Sequence, residues 1–265
     1  MRGIIKSALA AAVVLVVAPA SASINFGTPY VFASQADAEK GISLPLYGGN
    51  EREVSYVTVR VYRWVQKDGD AYALEPAPEV AVFPQMVRLE SQNRASVRLA
   101  WTRSAPVDER YYRIVFEEFD RPATSAADDD KAVLGFRVRP RASLPMIIYG
   151  SNNLQPAALN AKFETVMVDA SQADGPERLK QDATGKVEQR VVRIANNGGT
   201  YGRVTGFRDA KGTVQNAMVY VLPGSTVDLP LPVVDDLSGL QLLYTSGRAE
   251  HIRKPNDPVR STLVN

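Results

Sequence analysis

Hydrophobic and polar residues alternate along most of this chain, in short runs separated by Gly, Pro, Asn and Asp. In the run VSYVTVRVYRWV, Val54, Tyr56, Thr58, Arg60 and Tyr62 share one side, while Val57, Val59, Val61 and Trp64 fall on or near the other. In RYYRIVFEEF, Tyr112, Ile114 and Phe116 face one way and Tyr111, Arg113 and Val115 the other. A period of two is the mark of a half-buried strand. The same reading predicts one proline-bearing edge strand in INFGTPYVFA, one strand in ISLPLYGG, and two short runs joined by a polar turn in EVAVFPQMVRLESQNRASVRLAW. The stretch AVLGFRVRPRASLPMIIY closes this set, with Leu134, Phe136 and Val138 on one face and Gly135, Arg137 and Arg139 on the other. No long stretch carries a helical period.

After a punctuated segment, GSNNLQPAALN, a second strand-rich set follows: NAKFETVMVDA, KVEQRVVRIANN, TYGRVTGFRDAKG, NAMVYVLPGSTVDLPLP and GLQLLYTSGRAE. Asp209–Gly212 and Leu222–Ser225 carry turn chemistry, with glycine supplying the positive φ that tight turns need. Strands at spacings near ten residues predict β-sandwiches. The expected organisation is all-β: a first sandwich over residues 23–149, a second over 150–254, and a polar, mobile tail over 255–265.

Composition narrows the functional classes. The 265 residues contain no cysteine, which excludes a disulfide framework, a thiol nucleophile and a cysteine metal site. There is one histidine, His251, near the C-terminus, and it is assigned no role. A formal net charge of +2 makes no electrostatic case for nucleic acid. The N-terminus pairs Arg2 and Lys6 with the apolar run LAAAVVLVVAP and a small-x-small site at Ala20–Ala22. That is the layout of a signal peptide cleaved near Ala22, and the run is short for a membrane span. Asp128–Asp130 lacks the glycine and distal glutamate of a calcium loop, and the Gly-Gly pairs at 48–49 and 198–199 read as turns. No cofactor or metal is expected.

Three blocks, in this order, resemble the PapD-like periplasmic chaperones of pilus assembly by the chaperone–usher pathway. They are FPQMVRLESQNRASVRLAW, the strand opening Glu109-Arg-Tyr-Tyr-Arg, and ANNGGTYGRV followed by VYVLPGSTVDLPLP. The resemblance implies two immunoglobulin-like sandwiches set as a boomerang. It also implies a non-enzymatic protein that lends the last strand of its first sandwich to an incomplete pilin-like subunit and passes the subunit to an outer-membrane usher. Basic residues in the cleft would hold the subunit's C-terminal carboxylate. In this reading Leu134, Phe136 and Val138 are the lent residues; on pattern alone they could equally fill the chain's own core. The best-known branch has arginine where this chain has Tyr30. RASLP, Arg141–Pro145, instead resembles the archaic branch, in which the anchor would be Arg113, with Arg141 near the junction, or Arg139, as the second. Read from the residues alone, Arg113 could also lie over its own sheet, and Glu109 could orient a basic neighbour or end a strand in solvent. The free chain would expose a strand edge that self-association could cover. The alternative reading is a secreted two-sandwich adhesin or matrix-binding protein; an enzyme acting on carbohydrate is less favoured, since nothing fixes two carboxylates at a working separation.

Overall fold

A computed structural model describes residues 24–48, 54–67, 69–90, 93–102, 108–119, 141–150, 154–169, 184–231, 237–247 and 260–265. The expected signal peptide, the proposed lent residues Leu134, Phe136 and Val138, and Arg139, Asp128–Asp130 and His251 all lie outside them.

The described chain is nearly all strand, arranged as two immunoglobulin-like sandwiches. The first pairs one sheet, β1 (Ile24–Phe26), β3 (Ile42–Gly48), β8 (Arg94–Trp101) and β6 (Val80–Phe83), with a second. That second sheet runs β2 (Val31–Ser34), β10 (Arg141–Tyr149), β9 (Arg110–Phe119), β4 (Ser55–Trp64) and β5 (Leu74–Pro76), with β7 (Met86–Leu89) also on β4. Alternation explains the layers. Val57, Val59, Ile114, Phe116, Met146 and Leu99 each point inward and are fully buried in one core.

The second sandwich faces β11 (Leu159–Asp169), β12 (Lys186–Asn196) and β15 (Thr226–Pro230) against β14 (Val214–Val221), β13 (Gly202–Arg208), β16 (Gln241–Ser246) and β17 (Arg260–Leu263). Val192, Ile194, Val204, Val221 and Leu242 form its core.

Several expectations are corrected. INFGTPYVFA is not one strand: Gly27 and Pro29 interrupt the ladder, so β1 pairs antiparallel with β3 while β2 crosses to the other sheet and runs parallel to β10. EVAVFPQMVRLESQNRASVRLAW gives three strands, because the chain breaks at Pro84 after Phe83 and places β6 and β7 in different sheets. A short helix, α1 (Gln35–Lys40), follows β2; Ser34 and Asp37 form a reciprocal capping box, a local signal too brief for any periodicity to show. The end of the chain is not a mobile tail over 260–265. It forms β17, buries Val264, and hydrogen-bonds Asn265 to Ala161 and Phe163 of β11. No helix among the described residues is long and apolar enough to cross a membrane.

The sandwiches meet through a third buried cluster, Trp64, Ile147, Tyr201, Tyr220 and Leu222. Trp64 therefore belongs to the outer face of β4, with Tyr62, rather than to the valine face. Its indole N–H donates to Ala71 O at 2.8 Å, which pins the loop after β4. Gln66 in that loop is buried and reaches across: its Nε2 donates to Tyr220 O at 2.7 Å and its Oε1 accepts from Leu222 N at 2.8 Å. Gly69 completes the seam, accepting from Asp228 N at 3.0 Å with φ of 86°. A Cβ there would stand 2.2 Å from Asp228 Oδ2, so only glycine fits.

Candidate functional site

Beside this seam lies a cleft of about 390 Å³. Tyr30, Tyr72, Arg113 and Pro145 line it from the first sandwich; Arg203, Met218 and Tyr220 line it from the second. Its position follows from strand order. β9 and β10 are neighbours with Arg113 opposite Pro145, and residues directly opposite share a face. The inward face of β9 carries Tyr112, Ile114 and Phe116, so Arg113 must point outward, toward the second sandwich.

Arg113 is 8% exposed. Its guanidinium lies 4.1 Å from the centre of the Trp64 ring and 5.2 Å from that of Tyr72. It makes one long hydrogen bond, 3.4 Å, to Ser143 O, and pairs with no carboxylate among the described residues. Burial pulls it below the ordinary arginine range, against the opposing influence of Tyr72 and Tyr220. Buried charges are as a rule paired, and none of the described residues lining this cleft is acidic, so the guanidinium could accept an anion. A carboxylate suits it, because the planar fork presents parallel N–H donors to two oxygens.

The other candidates fall in different places. Arg141 is not near the junction. It opens β10 at the far end, opposite Glu117, four residues and roughly 13 Å along the strand from Pro145. It is exposed and bonded to Glu117 at 3.1 Å. Glu109 is no solvated strand end: it is 7% exposed and accepts the Tyr111 hydroxyl at 2.6 Å. Burial, and then the Glu109 charge, push the Tyr111 hydroxyl well above its usual range. Tyr30, which the resemblance sets where the best-known branch has arginine, lines the cleft.

Arg203, Gln66 and the interface role of Trp64 escaped the sequence. Nothing local marks them; only the pairing of strands far apart in the chain brings them to one seam. Among the described residues no three His, Asp or Glu side chains gather to hold a metal.

β10 has a second relevant property. β9 covers one of its edges from Arg141 to Ile148. On the other edge β2 pairs only with Met146–Tyr149. Among the described residues, Arg141–Pro145 therefore present an unpaired backbone edge leading into the cleft beside Arg113.

No protein-family model matches this chain. No curated protein matches it either. Solved structures do. A chain of the CsuC–CsuE chaperone–tip adhesion subunit pre-assembly complex, from archaic chaperone–usher Csu pili of Acinetobacter baumannii, matches at TM-score 0.58 and 16% identity, over 91% of this chain and 98% of that one. The YadV chaperone matches at 0.52 and 11%, over 85% and 93%. The complex of the Salmonella enterica SafA pilin with the SafB chaperone matches at 0.51 and 16%, over 84% and 90%. Identities this low speak for the fold. The chain has the two-sandwich fold of the chaperone–usher pilus chaperones, with an archaic Csu complex among the structures that it matches.

Proposed function

We propose that this chain is a periplasmic chaperone of a chaperone–usher pathway, of the archaic branch. It is exported by a signal peptide removed near Ala22, binds pilin-like subunits by donor-strand complementation, and delivers them to an outer-membrane usher. It acts without catalysis or a cofactor. Residues 23–149 carry out capture, and the remainder forms the second sandwich. The observation that carries this reading is Arg113, a buried guanidinium on an aromatic bed, facing a cleft with no acid among its described lining residues.

The open edge of β10 supports the same reading. A subunit lacking its last strand exposes unpaired backbone and an apolar groove, which would aggregate. An edge strand can pair with that backbone, and alternate side chains can fill the groove. Leu134, Phe136 and Val138 precede β10 with this spacing and are the proposed lent residues. The subunit's own strand would run along the β10 edge and end with its carboxylate at Arg113. Arg141, already held by Glu117, is a weaker choice of anchor.

Co-expression with a small pilin-like subunit, followed by co-purification, tests the proposal. The subunit should be soluble only with this chain, and Arg113→Ala should weaken the complex. A subunit that stays soluble and monomeric alone would end the chaperone reading. Glycan binding without a subunit would favour the adhesin.

A further inference from the structure

The two rings that bracket the Arg113 guanidinium hang from one turn, the connection between β4 and β5. Trp64 ends β4, and its indole N–H donates to Ala71 O at 2.8 Å. Tyr72 follows Ala71 in the chain, and its backbone N–H donates to Asp70 Oδ1 at 2.7 Å. Tyr72 is 60% exposed, so packing does not hold its ring over Arg113; the turn does. That turn is gripped from the second sandwich. One side-chain amide, that of Gln66, spans both partners: Nε2 donates to Ala71 O at 3.2 Å and to Tyr220 O at 2.7 Å, and Oε1 accepts from Leu222 N at 2.8 Å. Tyr220 O and Leu222 N lie two residues apart on one edge of the chain at the end of β14, where a neighbouring strand would bond them. The amide takes the place of that strand. Gly69 adds a backbone bond from Asp228 N. Gln66 is 7% exposed, so its bonds are made away from water, where an unmade one is costly.

We propose that Gln66 is a positioning residue for client capture. By docking the β4–β5 turn on the second sandwich, it sets Trp64 and Tyr72 about the Arg113 guanidinium and holds that group ready for its ligand. The inference rests on the reading of Arg113 as the anchor, and adds that the second sandwich prepares this anchor through a neutral amide. The reason is preorganisation. A guanidinium already ordered between two rings loses little freedom when a client binds, whereas one released from them must be ordered again. Loosening it should weaken capture by about 2- to 12-fold, the effect of immobilising one rotamer-rich side chain. The first sandwich alone, with no surface for Gln66 to grip, would present the same arginine in a looser bed.

Two readouts on the full mature chain test this. The first is the Nε–H resonance of Arg113, which rings facing the guanidinium shift upfield of exposed arginines such as Arg141. The second is the anisotropy of a fluorescent peptide of alternating valine and threonine with a free C-terminal carboxylate, a mimic of the client's last strand. Gln66→Met, similar in size but unable to make the three amide bonds, should move the resonance toward the exposed arginines and weaken peptide binding by the factor above. Leu242→Ala, in the core of the second sandwich and outside the seam cluster, is a destabilised control that should change neither readout. A thermal melt of each variant checks folding. If Gln66→Met does not fold, Gln66→Glu decides: it keeps the acceptor for Leu222 N but loses both donations, and wild-type readouts in it overturn the proposal. A folded Gln66→Met with the wild-type resonance and affinity overturns the proposal as well, while weakened binding by Arg113→Met would still leave Arg113 as the anchor. Leu242→Ala moving both readouts as far as Gln66→Met would reduce Gln66 to a structural residue and overturn the proposal. Arg113→Met binding the peptide like wild type would overturn the anchor reading itself, and this extension with it.

Discussion

Replacing Arg113 by methionine should separate binding from stability. In the complex, the guanidinium would make charge-assisted hydrogen bonds to the client carboxylate, worth about 1.5–3 kcal/mol. Their loss should weaken capture roughly 10- to 150-fold. In the free protein the balance differs. Desolvating a guanidinium costs several kcal/mol when no carboxylate accompanies it. Two aromatic rings, at 4.1 and 5.2 Å, return on the order of 2 kcal/mol or somewhat more. The bond to Ser143 O, at 3.4 Å, adds little. Methionine keeps an apolar stem over Trp64 and removes the charge. The free variant should therefore match the wild type within about 1 kcal/mol, or exceed it. Urea denaturation of the free chain and titration of a labelled subunit measure the two quantities. A variant destabilised by more than about 2 kcal/mol, with capture reduced only in proportion, would make Arg113 a structural residue and refute the reasoning.

Other substitutions probe the remaining links. Phe136→Asp should abolish co-purification of a subunit while leaving the melting curve unchanged, because a charge cannot enter an apolar groove; retained binding would remove Phe136 from the lent set. Asn196, 1% exposed, donates to Thr200 O and Val221 O and accepts from Ala158 N and Gly198 N. Asn196→Ala strands all four groups and should cost roughly 3–5 kcal/mol in a urea titration; a loss below 1 kcal/mol would mean that water replaces the amide. Burial would raise the Glu79 carboxyl, but the Arg63 fork, at 2.8 and 2.9 Å, and the Tyr112 hydroxyl hold it below the ordinary 4.5. A depressed folded-state value contributes stability that is complete above about pH 4.5 and fades as pH falls through the folded value. Stability followed against pH should fall on that acid limb, and Glu79→Gln should flatten it; identical acid limbs would count against the pair.

The alternation of β4 and β9 was legible because each has one face on a core: Val57, Val59, Ile114 and Phe116 are buried where the period placed them. The turns at Gly212 and Gly224 were legible because glycine's chemistry is local. The seam was not. Trp64 has the parity of a surface residue and is buried only because the second sandwich covers it, and Gln66 looks like any polar loop residue until Tyr220 and Leu222 arrive. The lining of the cleft was not legible as a set: Arg113 stood out in its aromatic strand, but no local pattern distinguishes Arg203, which lines the same cleft, from the other arginines of the second sandwich. Arg141 misled because closeness to the junction was judged along the sequence, while β10 runs its full length away from it.

The second sandwich is closed by residues 260–265 through contacts of long sequence separation. Val264 bridges to Ala161, and Asn265 exchanges hydrogen bonds with Ala161 and Phe163, roughly a hundred residues earlier in the chain. Contacts at such separation form late, because the long loop between their partners must close first. The seam residues Tyr201, Tyr220 and Leu222 belong to this same sandwich, so their platform is complete only once β17 is in place. The cleft beside the seam would then be among the last parts of the molecule to be finished, and a lesion in β17 would be felt there although no residue of β17 lines it.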